Sequence, residues 1–337
     1  MLLLLLMLTM LASTYLLTNS LENLALYFKL SDGFTGSILI AIATATPELI
    51  IPFIAIGYQH HDIGVGAILG SPLMLIAVAF PICGLVAFLA RPKQQWLLQN
   101  AVINTILNLK YIGYGLLLIV INIIIQFYLH YIILNILLIL IPILLYLSYL
   151  WANYKISKQY YYQKQSQQLI IGLLINFIKN NNFSHQLLLI IVQLILSLLL
   201  IIALSKMVIE YIASLHKYNL PEFVSSSLLI PILTELPEQF NIIFYILKKK
   251  DTLAISNIMG AIVLQSLLLP ITSTYYNLWA SSPFIPINLL SIILSYCWLW
   301  LIFLIKKQWH CYHLIVPILF YILNVILIFT INNKKTL

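Results

Sequence analysis

The sequence predicts an all-α polytopic membrane protein of about ten transmembrane helices, built as two inverted five-helix repeats. Three observations predict it. The chain is 62% hydrophobic and only 8% charged. It divides into apolar runs of membrane-spanning length. Residues 31–76 also recur at 221–266 without a gap.

A soluble domain carries roughly 25% charged residues because its surface must face water. At 8% charged and a mean hydropathy of +1.03, this chain has too little polar surface to cover a water-soluble globule, so lipid is its solvent. A hydrocarbon core of ~30 Å needs about 20 apolar residues per helix. Runs of that kind cover 2–18, 34–57, 63–89, 109–127, 130–151, 187–211, 223–247, 253–276, 285–304 and 313–331. The stretch 94–108 either extends the fourth helix or lies on the membrane surface, and 169–178 has an interfacial composition. The leucine-rich start lacks a basic n-region and a small-residue cleavage site, and reads as a retained first helix.

The net charge of +8 sorts by loop rather than forming a nucleic-acid-binding patch. With the N-terminus outside, the inward loops hold Lys29, Arg91, Lys93, Lys155, Lys158, Lys164, Lys179, Lys248, Lys249, Lys250, Lys306 and Lys307. The outward side holds Lys217, Lys334 and Lys335. Lysine and arginine favour cytoplasmic loops, which places both termini outside and makes the linker around Lys155 cytoplasmic, near anionic lipid. The expected partner is the bilayer, around a monomer. Aromatic residues, 12% of the chain, suit interfacial belts. Cys83, Cys297 and Cys311 match neither a disulfide framework nor a metal motif.

Of the nine carboxylates, Glu22, Asp32, Asp62, Glu222 and Asp251 fall in loops or at helix ends. Glu210 follows Lys206 by four residues, a spacing that predicts a neutralising pair. Glu48, Glu235 and Glu238 fall inside apolar spans, where ionisable groups are costly and mark ion or proton paths. Their surroundings are Thr44-Ala45-Thr46-Pro47-Glu48 and Thr234-Glu235-Leu236-Pro237-Glu238. Each proline removes one N–H and frees the carbonyl four residues back, those of Ala43 and Leu233. Thr44 and Thr234 share a helix face with their glutamates. Clustered hard oxygens of this kind suit Ca²⁺ or Na⁺, and broken helices at membrane depth line cavities.

Overlaid at an offset of 190, the two segments agree at Ser37, Leu39, Ile40, Ile42, Thr44, Pro47, Glu48, Ile56, Ile68 and Gly70. Leucine and isoleucine matches mean little in so apolar a chain, but Thr, Pro, Glu and Gly recur at Thr234, Pro237, Glu238 and Gly260. Five spans per half is an odd number, so the second copy enters the membrane from the other side, the inverted-repeat plan of secondary transporters. The halves take residues 1–152 and 187–331, joined by a linker over 153–186. Gly70 and Gly260 are expected to let the following helices approach the broken ones closely.

Two copies of Thr-x-x-Pro-Glu, followed by Gly66-Ala67-Ile68-Leu69-Gly70-Ser71 in one half and Ser256-Asn257-Ile258-Met259-Gly260-Ala261 in the other, resemble the α-repeats of the calcium/cation antiporter superfamily, which includes the sodium/calcium exchangers. The resemblance implies a transporter rather than an enzyme. Glu48 and Glu238 would be its central cation ligands, with oxygens from Thr44, Thr234 and Ser71, and no cofactor beyond the transported Ca²⁺, Na⁺ or H⁺. It also implies alternating access, with the first and sixth helices sliding across the core, and, for so short a chain, a cell (inner) membrane. The sequence departs from the family pattern in several places. Ala45 and Glu235 replace serines, Pro72 and Leu75 replace asparagines, and Ala261 and Ile262 replace a serine and an asparagine. Gln265 stands at the last polar or acidic position and joins the candidate ligands with Glu235. Neutral oxygens for several Na⁺ are therefore missing. Two carboxylates three residues apart repel, and a proton on one relieves this, which makes H⁺ a second candidate coupling ion.

Two other readings compete: a degenerate exchanger fold acting as uniporter, channel or scaffold, and an intramembrane acid-pair enzyme, for which neither glutamate copy has a suitable setting. His60-His61-Asp62 reads as a solvated turn that could collect metal.

Overall fold

The computed structural model describes residues 2–28, 30–98, 102–128, 132–159, 183–214, 222–279 and 282–335. Among them regular structure is helical, apart from one isolated bridge between Leu97 and His310. The first half holds α1 (Leu2–Tyr27), α2 (Thr35–Gly57) and α3 (His61–Ala90), α4 (Val102–Tyr128) and α5 (Ile132–Gln159). The second holds α6 (Phe183–Ser214), α7 (Glu222–Leu247), α8 (Asp251–Tyr275), α9 (Ile285–Lys306) and α10 (Ile318–Lys335), led by a turn of helix at Cys311–Ile315.

Among the described residues eight of these segments, α2 to α6 and α8 to α10, are long and apolar enough to cross a membrane. α1 and α7 have 26 residues each, about 39 Å at 1.5 Å per residue. The first helix thus runs well past the apolar stretch 2–18. The stretch 94–108 divides: residues from Val102 extend α4, while Trp96 and Leu98 bond the segment before α10, Leu98 N–H to Trp309 O at 3.0 Å and Cys311 N–H to Trp96 O at 3.0 Å. α5 continues through the start of the expected linker to Gln159. Residues 169–178 lie outside the described residues, as do the side chains of Lys29, Lys158, Lys164, Lys179 and Lys217.

The core is the four-helix group α2, α3, α7 and α8. In the most apolar stretch of α8, 89% of residues are buried, against 22% in α5 and α10. An all-round apolar helix with glycines and small residues belongs at such a centre. α4, α5, α9 and α10 flank it and carry the lipid-facing side chains, among them Leu117, Leu144, Trp151, Leu301 and Ile326.

Four close approaches reveal how the halves are related. Gly70 of α3 lies against the backbone of Ser227 in α7, and Gly260 of α8 lies against the backbone of Ser37 in α2. Gly36 packs against Ser256, and Gly66 against Ser226. Adding 190 to the first-repeat member of a pair, or subtracting it from the second-repeat member, gives a residue of its counterpart pair, so exchanging the halves reproduces the contacts. That is a pseudo-two-fold axis between inverted repeats. It also corrects one expectation: each glycine opens space for the glutamate-bearing helix of the opposite repeat, not of its own. The helix that follows a glutamate in sequence is thereby packed on its partner's glutamate helix.

α1 and α6 stand apart from this core. They share a second apolar cluster, Leu6, Met10 and Leu17 with Ile201, Leu204 and Val208, which meets the core through Ala43, Ile51, Ala55, Ile63, Ala67 and Ile230. Gln193 of α6 donates to Leu16 O at 2.8 Å and to Asn19 Oδ1 at 3.1 Å in α1.

Arg91, just past α3, donates to Asp251 at the start of α8 and to Ile246 O near the end of α7. The Leu97–His310 bridge joins the adjoining segment to the end of α9. These contacts gather Arg91, Lys93, Lys248, Lys249, Lys250, Lys306 and Lys307 at one end of the molecule. The predicted pairing of Lys206 with Glu210 does not form as a direct ion pair, although Lys206 stays within reach of the Glu210 charge. Instead the Lys206 ammonium lies over the Tyr58 ring, 5.5 Å from its centroid. Lysine N-terminal to glutamate is the weaker of the two orientations on a helix, and both side chains are exposed.

Candidate cation-binding site

The two glutamate helices are made differently. In α2 a π-helical stretch, Thr35–Ile40, leads into Ala41–Thr44. A break follows at Ala45 (φ −82°, ψ 3°), and the helix resumes over Thr46–Gly57. Pro47 cannot donate to Ala43 O, and the Thr46 hydroxyl bonds Ile42 O at 2.7 Å, a side-chain competition that bends helices. α7 remains a continuous helix through Pro237, so only one of the two expected breaks is present. The position matching Thr46 is Leu236, which has no hydroxyl to compete for the backbone.

Glu48 lies just past the break, on the first turn of the resumed helix. Glu48, Glu235 and Glu238 are 0%, 0% and 1% exposed, and all three lie close enough to feel one another's charge. Their neighbours are crossed: Glu48 lies beside the Thr234 hydroxyl of the other repeat, and Glu238 beside that of Thr44. These hydroxyl protons are already committed, Thr44 Oγ1 donating to Ile40 O at 3.0 Å and Thr234 Oγ1 to Ile230 O at 2.9 Å. Each threonine oxygen, bonded to a carbonyl of its own helix, thus also stands near the carboxylate of the other repeat. All four carboxylate oxygens of Glu48 and Glu238 lack a hydrogen-bond donor.

Glu235 differs. Its Oε1 accepts a hydrogen bond from Gln265 Nε2 at 2.9 Å, while Glu235 Oε2 and Gln265 Oε1 remain unpartnered. Six of the seven sequence-predicted residues, Glu48, Thr44, Glu238, Thr234, Glu235 and Gln265, thus fall into two linked groups. Ser71 is buried beside Gly70, and its hydroxyl donates to Ala67 O at 3.1 Å. Among the described residues, no three His, Cys, Asp or Glu side chains converge closely enough to cage a metal ion on their own. A cation between Glu48 and Glu238 would need hydroxyl and carbonyl oxygens to complete its shell, as hard cations accept.

A family model described as "Sodium/calcium exchanger protein" matches residues 1–155 and 189–330. The chain belongs to this family. Sodium/potassium/calcium exchanger 4 of Mus musculus and that of Homo sapiens are each 37% identical to it over 68 residues, 20% of this chain and 11% of theirs. Among solved structures, the H⁺/Ca²⁺ exchanger CAX superposes with a TM-score of 0.71 at 13% identity, covering 98% of this chain and 87% of that one. The sodium-calcium exchanger NCX_Mj superposes with a TM-score of 0.61 at 20% identity, covering 95% of each chain. At these identities the likeness is one of fold, and it extends over nearly the whole of this exchanger-family chain.

Other polar groups of the exchanger core were not named as ligands from the sequence, although Asn257 lies within the repeated motif. Asn257 of α8 is wholly buried, and neither its Oδ1 nor its Nδ2 has a partner. Asn108 Nδ2 donates to Ser37 Oγ at 3.2 Å, and Tyr149 OH donates to Asn108 Oδ1 at 2.8 Å, bracing the residue on which Gly260 packs. A polar side chain inside an apolar span was the available signal for both. The His60-His61-Asp62 turn holds one ionisable contact, His60 Nδ1 to Glu222 Oε1 at 3.8 Å. Its residues are only partly exposed, and they build no metal site among the described residues.

Proposed function

We propose that this chain is a secondary active cation antiporter, exchanging Ca²⁺ or a related divalent cation for Na⁺ or H⁺ by alternating access, with the cation held between Glu48 and Glu238. The observation that carries this reading is the crossed pair. Two buried carboxylates, one from each inverted repeat, have no hydrogen-bond donor, and each lies beside the threonine oxygen of the other. Buried negative charge must be balanced, by a metal ion in one phase of a cycle and by the counter-ion in the other. Thr44 and Thr234 then add neutral ligands. Glu235, with Gln265, is a third acid next to the pair.

Two features support the transport cycle. The α1–α6 pair rests on its own apolar cluster, which suits sliding over a fixed core. The basic end, read by the positive-inside rule, faces the cytoplasm. Both counter-ions named for the structural relatives, H⁺ and sodium, enter the test. The apolar residues Pro72, Leu75 and Ile262 favour H⁺, since they remove oxygens that several Na⁺ would need. They also favour the second reading, a degenerate member that conducts a cation without coupling.

The test is ⁴⁵Ca²⁺ uptake into proteoliposomes under an outward Na⁺ gradient or a proton gradient, with Glu48→Gln and Glu238→Gln alongside. Uptake driven by one gradient and abolished in both variants supports the antiporter and names its counter-ion. Uptake that follows only the Ca²⁺ gradient supports the uncoupled reading. Gradient-driven uptake that survives both substitutions overturns the site.

A further inference from the structure

We infer that a lipid-facing groove between α4 and α9 binds one anionic phospholipid of the surrounding membrane. The groove has a volume of about 410 Å³ and lies between Lys110 and Tyr114 of α4 and Tyr296, Trp300, Leu304 and Lys307 at the end of α9. Tyr296 bridges the two helices, its hydroxyl donating to Leu109 O at 2.9 Å, and its ring stacks on Trp300 with centroids 6.2 Å apart. Trp300 and Leu304 remain 44% and 49% exposed. The result is an aromatic and aliphatic trough open to the acyl-chain region.

The charges choose the occupant. Lys110 lies inside the membrane-crossing stretch of α4, eight residues past Val102, about 12 Å along the helix. Its ammonium meets only the Tyr114 ring in the groove, 5.8 Å from the centroid. Lys307 ends α9 in a left-handed conformation, φ 56°, its N–H bonded to Phe303 O at 2.8 Å. No Asp or Glu lines the groove. Lysines in such places extend their ammonium toward the headgroup layer. Two of them around one apolar trough, at the end that also carries Arg91, Lys93 and Lys306, match one phosphate above two acyl chains. A zwitterionic headgroup offers a phosphate too, but its own ammonium offsets the attraction.

The proposal is tested on the full chain in detergent by native mass spectrometry, titrating phosphatidylglycerol and phosphatidylcholine separately. The wild type is expected to retain phosphatidylglycerol more tightly. Lys110→Gln and Lys307→Gln each lose about fivefold in that affinity and the double variant about thirtyfold, from ~1 kcal/mol per lysine, with phosphatidylcholine unchanged. Trp300→Ala weakens both lipids. Lys248→Gln, at the same end but outside the groove, is the control. Equal binding of the two lipids by the wild type overturns the proposal. So does an undiminished phosphatidylglycerol affinity in the lysine variants, or an equal loss in Lys248→Gln, which would mean diffuse surface charge. If the double variant is not monodisperse, the single variants carry the same test.

Discussion

Arg91→Met isolates a buried charge whose cost can be worked out in advance. The Arg91 guanidinium grips Asp251 with a fork, Nη1 to Oδ2 at 2.9 Å and Nη2 to Oδ1 at 2.6 Å, and also bonds Ile246 O. The two side chains are 6% and 3% exposed. Removing the arginine takes the fork from the Asp251 carboxylate at the junction of α3, α7 and α8, and breaking a buried pair from one side costs about 3–5 kcal/mol. Asp251→Asn costs less, about 1.5–3 kcal/mol, because the arginine keeps its bond to Ile246 O. In the double variant no buried charge is left unpaired, so its loss should fall below that of Arg91→Met alone, a coupling of about 2 kcal/mol or more. The assay is unfolding of the four proteins in one detergent, compared as a double-mutant cycle. Strictly additive losses, or a loss under about 1 kcal/mol for Arg91→Met, would refute the view that this pair is dry and mutually dependent.

Four further outcomes follow from the packing and the hydrogen bonds. A Cβ at Gly260 would stand 2.6 Å from the Cα of Ser37, so Gly260→Ala should destabilise by about 1–3 kcal/mol through overpacking. Nothing lies within 4 Å of a Cβ at Gly57, so Gly57→Ala should leave the melting temperature unchanged or slightly raised. Gln265→Leu removes the donor to Glu235, a loss of about 1.5–3 kcal/mol, read as a lower melting temperature that Glu235→Leu in the same chain restores. Thr46→Val deletes the hydroxyl that bonds Ile42 O. It should lower gradient-driven uptake while the protein stays monodisperse, if the break at Ala45 aims Glu48.

The sequence was legible where its chemistry is expensive. Three acids in apolar spans, a proline beside each of two of them and a repeated glycine located the core helices, though not their pairing across the repeats, because each such residue in a membrane needs a reason to be there. Loop lysines likewise foretold which end of the molecule would be basic. What could not be read was partner choice. Asp251 looked like a loop residue, since nothing in a local window shows that Arg91, 160 residues away, will meet it. The two proline motifs read alike, yet only α2 breaks, where Thr46 competes for the backbone and Leu236 has no means to. Lys206 and Glu210 had the right spacing, but an exposed pair in the weaker orientation gains too little to outweigh a tyrosine ring nearby.

The difference between the repeats is itself ordered. Glu235 and Gln265 are bonded across α7 and α8. Their counterparts at an offset of 190 are Ala45 and Leu75, both fully buried. The two positions are thus both polar in one repeat and both apolar in the other. A carboxylate at 45 facing Leu75 would lose its donor, and Gln265 facing an alanine would bury an amide with nothing to bond, each a penalty of about 1–3 kcal/mol or more. The extra acid of the second repeat therefore came with its own amide donor, whereas Glu48 and Glu238, at matched positions, accept no hydrogen bond of ordinary geometry and have only a threonine hydroxyl of the other repeat nearby. In so buried a core, that contrast sets Glu235, bonded to Gln265, apart from the two carboxylates that we propose hold the cation.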